Sequence, residues 1–457
     1  IKRVLVHIKI QDITMAYKYS HLSLVIISFG FFFASTLSIE TNHLNPAGLL
    51  SCQKTSSPEA CTEETKLSLS LNIIPNILNF VFKYLDLAQA EAGKLTELLQ
   101  KVGISGIIEN QKGTLQDCLE LHQITVSSLQ KASSIIKAGD SSKLADAKTH
   151  LSSAITNRAT CLEGLQTASG SSKPAIINSL NNIFESVTSS LSKLPSVPII
   201  RHRRRLLGYP AWISSKDRRI LEGYEPAEDD ESGVITVAKD GSGNFTTISD
   251  AISFAPDKSF DRVFIYVKAG IYEENVNIPK SKTNIVLLGD GKENTFITGN
   301  RSVGSGWTTF RSATLGVSGD GFLARGLWIE NTAGPENHQA VALRVNADYV
   351  AMYQCAFNGY QDTLYVHSFR QFYRECDVYG TVDYIFGNAA AMFQGCNVVS
   401  LLPMPGQFVA VTAQSRESPD ETTGIVFQNC SILATEGLYN SSGSVSSYLG
   451  RPWKEYS

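Results

Sequence analysis

Apolar side chains recur every three or four residues along the first half of the chain, which is the spacing of one face of an α-helix. Pro75 lies inside the first of these series and is expected to kink that helix. Short joints rich in glycine and serine separate the series, so we predict an all-α antiparallel four-helix bundle. The four series run over residues 67–85, 115–136, 144–165 and 177–194.

From Val234 onward the pattern changes to short runs of β-branched and aromatic residues, separated by glycine and asparagine. One helix is expected in this half, over Thr246–Phe254. Hairpin signals such as Asn-Gly between alternating runs are scarce, although a β-sandwich would need a turn about every 8–12 residues. A solenoid of short strands is therefore preferred over a sandwich.

An internal repeat supports the solenoid. Four β-like runs each carry a cysteine in a similar setting, and these cysteines are 21, 20 and 34 residues apart; they are Cys355, Cys376, Cys396 and Cys430. Spacings near 20 suit one coil of a parallel β-solenoid, and the longer spacing suits a coil with an inserted loop.

Two aspartates occupy the same place in this repeat. Asp362 lies seven residues after Cys355, and Asp383 lies seven residues after Cys376. Equivalent positions on adjacent coils stack at a spacing of about 4.8 Å. Because neighbouring carboxylates repel, one should have a raised pKa while the other stays ionised, which gives one general acid and one nucleophile or base.

Other interpretations of the aspartate pair remain open, namely two stacked loop carboxylates or a calcium site. His338 and His367 are the only histidines beyond residue 202, which leaves little material for a zinc site or a Ser-His-Asp triad. We therefore predict neither a metal nor a cofactor.

Several polar and aromatic side chains could assist the pair. The amides of Gln339 and Gln361 can donate hydrogen bonds to a developing oxyanion, and Arg451 could pair with one aspartate and hold it ionised. Taken singly, each is more readily explained as a surface or core residue. The candidates for an apolar wall against sugar rings are Trp453, Tyr360, Tyr384 and Phe386.

The N-terminal stretch over residues 22–39 is apolar and follows basic residues, which is typical of a secretory signal, with an uncleaved anchor as the alternative. Met15 is the expected natural start, which would make residues 1–14 an upstream artefact. Export permits disulfides. Cys118 and Cys161 could join two helices and Cys52 and Cys61 could close a short hairpin, unless these are buried thiols.

Between the two halves, residues 201–231 lose all periodicity and are predicted to form an exposed linker. Two similar dibasic sequences, Arg204–Leu207 and Arg218–Leu221, are candidate sites for a processing protease. The net charge of −3 gives no reason to expect a nucleic-acid partner. Asn244, Asn300 and Asn440 are candidate glycosylation sites, whereas Asn429 is expected to lie in a buried strand.

Five ordered sequence blocks give the second half a specific resemblance. They resemble the signature blocks of plant pectin methylesterases and lie at residues 270–274, 339–344, 360–365, 380–387 and 449–453. The first half resembles, more loosely, the pectin methylesterase inhibitor domain. Domains are accordingly expected at 1–39 (signal peptide or anchor), 40–200 (inhibitor-like pro-domain), 201–231 (processing linker) and 232–457 (catalytic domain).

This resemblance implies a right-handed parallel β-helix, a secreted cell-wall enzyme, and pectin as its substrate, with inhibitor proteins as further partners. It implies that Asp383 is the nucleophile and that Asp362 is the proton donor and then the base. Gln339 and Gln361 would stabilise the anionic intermediate.

In the same resemblance, Arg451 would hold Asp383 ionised, and Thr309, Gln339, Arg451 and Trp453 would contact substrate. Cys355 and Cys376 would form a disulfide. Family members continue beyond the position of Ser457, so the C-terminal part of the β-helix is expected to be truncated here and the fragment to be poorly stable.

Two other functions compete with an esterase. A pectin-cleaving glycosidase or lyase would also use carboxylates on a β-helix, although the Gly-His-Gly block of polygalacturonases is absent from the chain. Alternatively, the helical half could act chiefly as a protein inhibitor that binds and silences an esterase, in cis in this chain.

Overall fold

The computed structural model describes residues 75–102, 106–195, 208–223, 233–441 and 443–457. The predicted signal segment, the Cys52–Cys61 pair and the dibasic sequence Arg204–Leu207 lie outside the described residues. Within them, no helix is both long enough and apolar enough to cross a bilayer.

Among the described residues, four long helices precede the β-rich region, as the apolar spacing predicted. They are α1 (Pro75–Lys101), α2 (Thr114–Ala138), α3 (Leu144–Thr167) and α4 (Lys173–Lys193). Pro75 is the first described residue of α1, and residues 67–74 of the same apolar series lie outside the described residues, so the kink expected at Pro75 stays a prediction. We call these four helices the helical cap.

The predicted disulfide between α2 and α3 is present. The sulfur atoms of Cys118 and Cys161 are bonded across 43 residues of sequence, and both side chains are buried in the core of the cap. A covalent closure of this length restricts the unfolded chain and thereby stabilises the folded cap.

The β-rich region is a parallel β-helix. Three shorter helices accompany it, α5 (Ser215–Glu222), α6 (Ile248–Phe254) and α7 (Glu436–Asn440), of which α6 was predicted. The described strands are β1 (Val234–Val237), β2 (Val263–Val267), β3 (Gly270–Glu273), β4 (Val276–Ile278), β5 (Ile285–Gly289), β6 (Thr295–Gly299), β7 (Leu315–Val317), β8 (Leu323–Arg325), β9 (Trp328–Asn331), β10 (Leu343–Val345), β11 (Val350–Tyr353), β12 (Ala356–Asn358), β13 (Leu364–Val366), β14 (Arg370–Arg374), β15 (Asp377–Gly380), β16 (Ile385–Gly387), β17 (Ala390–Gln394), β18 (Asn397–Ser400), β19 (Val409–Gln414), β20 (Gly424–Gln428), β21 (Ser431–Ala434) and β22 (Ser447–Gly450).

These strands form three parallel sheets that the chain visits in turn. The first sheet has the order β1-β2-β5-β8-β11-β14-β17-β20, the second β3-β6-β9-β12-β15-β18-β21, and the third β4-β7-β10-β13-β16-β19-β22. Each complete coil therefore adds one strand to each sheet, and every strand that is not at the end of its sheet pairs with its equivalents one coil before and one coil after. Apolar side chains that point inward form the long core of the β-helix.

The cysteine repeat marks the bend from the first sheet to the second. The residue before each cysteine has a positive φ, for example 49° at Gln354 and 54° at Glu375, which turns the chain sharply between two strands. Asn429 occupies the same bend with φ 53° and is exposed, so the expectation that it lies in a buried strand is wrong.

The predicted disulfide between Cys355 and Cys376 is not present in the structure. Both are free buried thiols, and so is Cys396. Each thiol instead faces a backbone carbonyl two residues earlier, at 3.4 Å from Tyr353 O for Cys355 and 3.3 Å from Arg374 O for Cys376. The inward-facing repeat position therefore forms a ladder of thiols along the core.

A short segment before the β-helix packs on the outside of the first sheet. Helix α5 begins at the N-cap Ser214, whose hydroxyl accepts from the Asp217 N–H. Ile220 and Leu221 are only 2% and 1% exposed because they pack against the outward side chains of this sheet, including Phe372.

Candidate active site

Asp362 and Asp383 lie at equivalent places on neighbouring coils. Asp362 is in the turn between β12 and β13, and Asp383 is in the turn between β15 and β16. Two residues later, Leu364 is paired with Ile385, so the register aligns the two aspartates. The stacking expected from the repeat is therefore present in the strand register, with coils about 4.8 Å apart.

Both aspartates have an unusual backbone conformation and little contact with solvent. Their φ angles are 64° and 51°, in the left-handed region that non-glycine residues seldom adopt. Asp362 is 3% exposed and Asp383 is 0% exposed. The Asp362 N–H donates to the Val382 carbonyl at 3.0 Å, which fixes one turn against the next.

The surroundings of the two carboxyls differ. Burial raises the pKa of Asp362 well above its usual value, and the neighbouring charge of Asp383 raises it further. Oδ1 of Asp362 has no hydrogen-bond partner among the described residues. Asp383, in contrast, receives two hydrogen bonds from Arg451, one from Nε to Oδ1 at 3.0 Å and one from Nη2 to Oδ2. The surroundings thus favour the protonated form of Asp362, whereas Asp383 is paired with the cation of Arg451.

The two glutamines lie on consecutive coils beside this pair. The Ala340 N–H donates to the Gln361 carbonyl at 3.2 Å, which joins the turn that carries Gln339 to the turn that carries Gln361 and Asp362. Both glutamines are half-buried. Gln361 is held next to Asp362 by this backbone ladder.

Aromatic rings line the outer face of the third sheet next to the aspartates. Tyr365 and Phe386 are paired in the register and their rings stack with centroids 4.1 Å apart. Trp453 is 45% exposed, and its ring centroid lies 5.2 Å from the Arg451 guanidinium carbon. The Phe386 ring thus stacks on Tyr365, and the Trp453 ring adjoins the arginine that binds Asp383.

The suggestion that Tyr384 forms part of this wall is wrong. Its side chain points into the core of the β-helix, is 0% exposed, and its hydroxyl lies 3.0 Å from the Ser400 hydroxyl. The reason is that Tyr384 precedes strand β16, so the two-residue alternation that would place it on the same face as Phe386 does not hold there. Tyr360 is half-buried in the turn before Asp362.

Thr309 starts the 3₁₀ turn Phe310–Ser312, near the N-terminal side of the same face. Thr309 is half-buried, and its carbonyl accepts from the Ser312 hydroxyl at 2.8 Å. The neighbouring Thr308 is buried and its hydroxyl donates to Asp117 of helix α2.

The helical cap covers this face of the third sheet. Phe310, Tyr365 and Phe386 are buried in the same apolar cluster as the core of the cap. Thr160 on α3 lies 2.9 Å from Nε2 of His367 and 3.3 Å from the Tyr365 hydroxyl. Glu163, one turn further along α3, is close enough to raise the pKa of Asp362, although burial and Asp383 have larger effects.

Sequence reasoning missed Tyr365 and the covering of the site by α2 and α3. Tyr365 stands three residues after Asp362 as Phe386 stands three residues after Asp383, so the repeat contained the signal for it. Contacts from the cap had no comparable signal. Among the described residues, no group of three or more acidic, histidine or cysteine side chains could hold a metal ion.

Comparison with known proteins agrees with this architecture. The pectinesterase family profile matches residues 234–457, and the plant invertase/pectin methylesterase inhibitor profile matches residues 50–196. The Arabidopsis thaliana protein named probable pectinesterase/pectinesterase inhibitor 12 is 60% identical over 422 residues, which is 89% of this chain and 77% of that relative. Pectinesterase 2 of Citrus sinensis is 41% identical over 409 residues, again 89% of this chain and 77% of the relative.

Among solved structures, pectin methylesterase from carrot is 52% identical, with a TM-score of 0.48 over 48% of this chain and 69% of that one. The family profile and the long sequence matches define a carboxylic ester hydrolase preceded by an inhibitor-type helical region. The chain belongs to the pectinesterase family.

Proposed function

We propose that this protein hydrolyses the C6 methyl esters of homogalacturonan, with Asp383 as nucleophile and Asp362 as acid and then base. Family membership supports the esterase reaction. The observation that carries the roles of the two residues is the contrast between Arg451-bound Asp383 and Asp362, whose pKa is raised by burial and by Asp383.

In the first step, an ionised oxygen of Asp383 attacks the ester carbonyl and forms a tetrahedral oxyanion. The intermediate collapses as the C–O bond to the methoxy group breaks, and Asp362 gives its proton to the departing methanol. An acyl anhydride between Asp383 and the substrate remains, and Asp362 is now ionised.

In the second step, Asp362 takes a proton from water, and the resulting hydroxide attacks the acyl carbonyl. The bond to Asp383 breaks, which releases a free galacturonate carboxyl group and returns both aspartates to their starting states. The amides of Gln339 and Gln361 would donate to the oxyanion in both steps. Thr309, Arg451 and Trp453 would position the sugar chain, with Trp453 against a ring face.

Methanol release from highly methylated pectin, measured beside the viscosity of the same solution, tests this function. An esterase releases methanol while the pectin chain keeps its length. A glycosidase or lyase would lower the viscosity without methanol, and that result would overturn the proposal.

The cap has a second function in this proposal, as an inhibitor that acts in cis. The supporting observation is the shared apolar cluster that buries Phe310, Tyr365 and Phe386 under the helices, because a polymer cannot reach a face already covered by protein. Proteolytic separation of the cap from the β-helix should then increase methanol release. An uncut chain that is as active as the cut one would contradict it.

We further propose that the protein is secreted to the cell wall, where pectin is found, and that a protease cuts its linker. The predicted domain boundaries at residues 40, 201 and 232 belong to this proposal. Asn244, Asn300 and Asn440 are exposed and would carry the glycans.

A further inference from the structure

Beside the aromatic face, two arginines of the β-helix have their described carboxylate partners in the cap. Arg311 lies in the 3₁₀ turn after Phe310, and Arg344 lies on β10. Among the described residues, the ion-pair partners of Arg311 are Asp117 and Glu120 of α2, and the partner of Arg344 is Glu120. The β-helix therefore brings two cations to this face and no described carboxylate of its own to pair with them.

The contacts of Asp117 and Glu120 form two adjoining carboxylate sites. Asp117 accepts from the Thr308 hydroxyl and from Nε of Arg311 at 2.8 Å. Glu120 accepts from Nη2 of Arg311 at 2.9 Å and from the Ser318 hydroxyl at 2.6 Å. A guanidinium fork combined with hydroxyl donors is the arrangement that proteins use to recognise carboxylates.

The buried guanidinium of Arg344 is incompletely hydrogen-bonded. Its side chain is 2% exposed, and its Nε has no hydrogen-bond partner among the described residues. It lies over Gly316, where an added Cβ would come within 2.6 Å of Nη2. The guanidinium carbon is 3.6 Å from the Phe310 ring centroid. A buried, incompletely paired cation of this kind is stabilised by an anion beside it.

The site adjoins the proposed catalytic pair along the β-helix. Arg344, Tyr365 and Phe386 occupy one row of the third sheet on three successive coils. Adjacent coils are about 4.8 Å apart. Arg344 is therefore one coil from the turn of Asp362 and two from that of Asp383, and Arg311 is one coil further from each. A sugar polymer bound along this face would place a neighbouring unit, not the reacting ester, over Arg311.

We propose that Arg311 and Arg344, with the Thr308 and Ser318 hydroxyls, form a subsite for the free carboxylate of an already demethylated galacturonate unit, which Asp117 and Glu120 occupy in the uncleaved chain. The inference rests on the proposed function, because it takes its ligand from the product of that reaction. The enzyme accordingly prefers esters next to demethylated units, and its acidic product competes with the cap for the same arginines.

Binding of oligogalacturonates of one length, either fully demethylated or fully methyl-esterified, tests the subsite in the full chain. The double variant Asp117→Asn/Glu120→Gln removes the carboxylates of the cap and should bind the acidic oligomer about tenfold or more tighter than the parent, as expected for loss of competing charge-assisted hydrogen bonds. Adding Arg311→Gln should reverse that gain. Binding of the esterified oligomer should not change with Arg311.

A matched control is Asp146→Asn, which removes a cap carboxylate that pairs with Arg370, away from this site. This variant should weaken docking of the cap, but it should not make binding of the acidic oligomer depend on Arg311. If Arg311→Gln fails to fold, Arg311→Lys keeps the charge but loses the fork and should give intermediate affinity. Acidic-oligomer binding that is absent from the double variant, or that does not change with Arg311, overturns the subsite.

The same test separates the subsite from the esterase proposal. Binding of the acidic oligomer through Arg311 without methanol release from any folded variant would overturn the esterase alone. In active variants, the ratio of kcat/KM for half-methylated over fully methylated homogalacturonan should fall about tenfold on Arg311→Gln. The fraction of chains with an open cap multiplies kcat/KM for both substrates equally. The ratio of the two kcat/KM values is therefore independent of that fraction.

Discussion

Arg451 binds both carboxylate oxygens of Asp383, through Nε at 3.0 Å from Oδ1 and through Nη2 on Oδ2. Because Asp383 is 0% exposed, the two hydrogen bonds from the Arg451 guanidinium replace those that its carboxylate would make to water. Asp362, one coil away, has no such guanidinium partner among the residues that the structure describes. The two carboxyls thus share a fold position and differ in their surroundings, since Asp383 is paired with a guanidinium whereas burial raises the pKa of Asp362.

Arg451→Ala should therefore lower kcat by about a hundredfold or more, because a buried carboxylate without its partner takes up a proton and ceases to be a nucleophile. Arg451→Lys should recover part of the rate, since it restores the charge without the fork. Initial rates of methanol release measure both. Arg374→Ala, on the first sheet, is the control and should keep the parental kcat; an equal loss there would contradict the assignment.

Docking of the cap should depend on pH through Asp117. Burial raises the pKa of Asp117 to about 6, even though Arg311 lowers it. A raised pKa in the docked state means that this contact stabilises docking fully below the ordinary value of 3.8 and loses that contribution as the pH rises through about 6.

Asp320 acts in the opposite sense. Burial would raise the pKa of Asp320, but Lys280 of the β-helix and Lys131 of the cap outweigh burial and lower that pKa to about 2. The contact between Asp320 and Lys131 is therefore lost only as the pH falls through about 2. Docking of the cap should consequently weaken between about pH 4 and pH 6, so that hydrogen exchange in α2 accelerates over this range by more than the intrinsic effect of pH on exchange. Asp117→Asn should flatten that change, and an unaltered pH profile in this variant would exclude Asp117 as the cause.

The Cys118–Cys161 disulfide should contribute about 2–5 kcal/mol to the stability of the cap. Cys118→Ala/Cys161→Ala should lower the unfolding midpoint of the cap in urea while leaving the β-helix transition in place. The parent under reducing conditions is the control and should behave like the variant. A reductant that further destabilised the variant would show that another disulfide is involved.

Helix α5 should protect the second dibasic sequence from proteases. Nε of Arg218 donates to the Ile213 carbonyl at 3.1 Å, Asp217 pairs with Arg262 at 2.8 Å, and Leu221 is 1% exposed. A protease needs its site extended, so trypsin should cut after Arg218 or Arg219 only when this helix detaches.

Leu221→Asp should detach α5 and accelerate that cleavage, as followed by mass spectrometry of the fragments. Lys216→Gln alters an exposed residue of the same helix and should leave the protection intact. Rapid cleavage at Arg218–Arg219 in the native parent would contradict the prediction.

The sequence was sufficient for the elements and for the aspartate pair. Helical spacing is a local property, and the repeat that aligns Asp362 with Asp383 is set by the coil length, so both are readable without coordinates. Tyr384 was assigned to the wrong face because it precedes strand β16, where the alternation that would place it beside Phe386 does not hold. The Cys355–Cys376 disulfide was an expectation from resemblance, and the structure keeps both thiols free.

The docking of the cap could not be predicted in this way. It depends on which face of α2 meets which outward row of the third sheet, as in the contact of Asp117 with Arg311 across 194 residues. No periodicity within either half specifies such a pairing. The arginine subsite follows only once those two surfaces are seen together.

The most direct test of the central claim is methanol release from highly methylated pectin by the protein freed of its cap, beside its Asp383→Asn variant. Asp261→Asn, an exposed aspartate of the β-helix, is the matched control. We predict that the parent and the control release methanol at similar rates without thinning the pectin, and that Asp383→Asn, in a folded sample, loses at least about a thousandfold in kcat. Methanol release that survives Asp383→Asn at the parental rate would contradict the account.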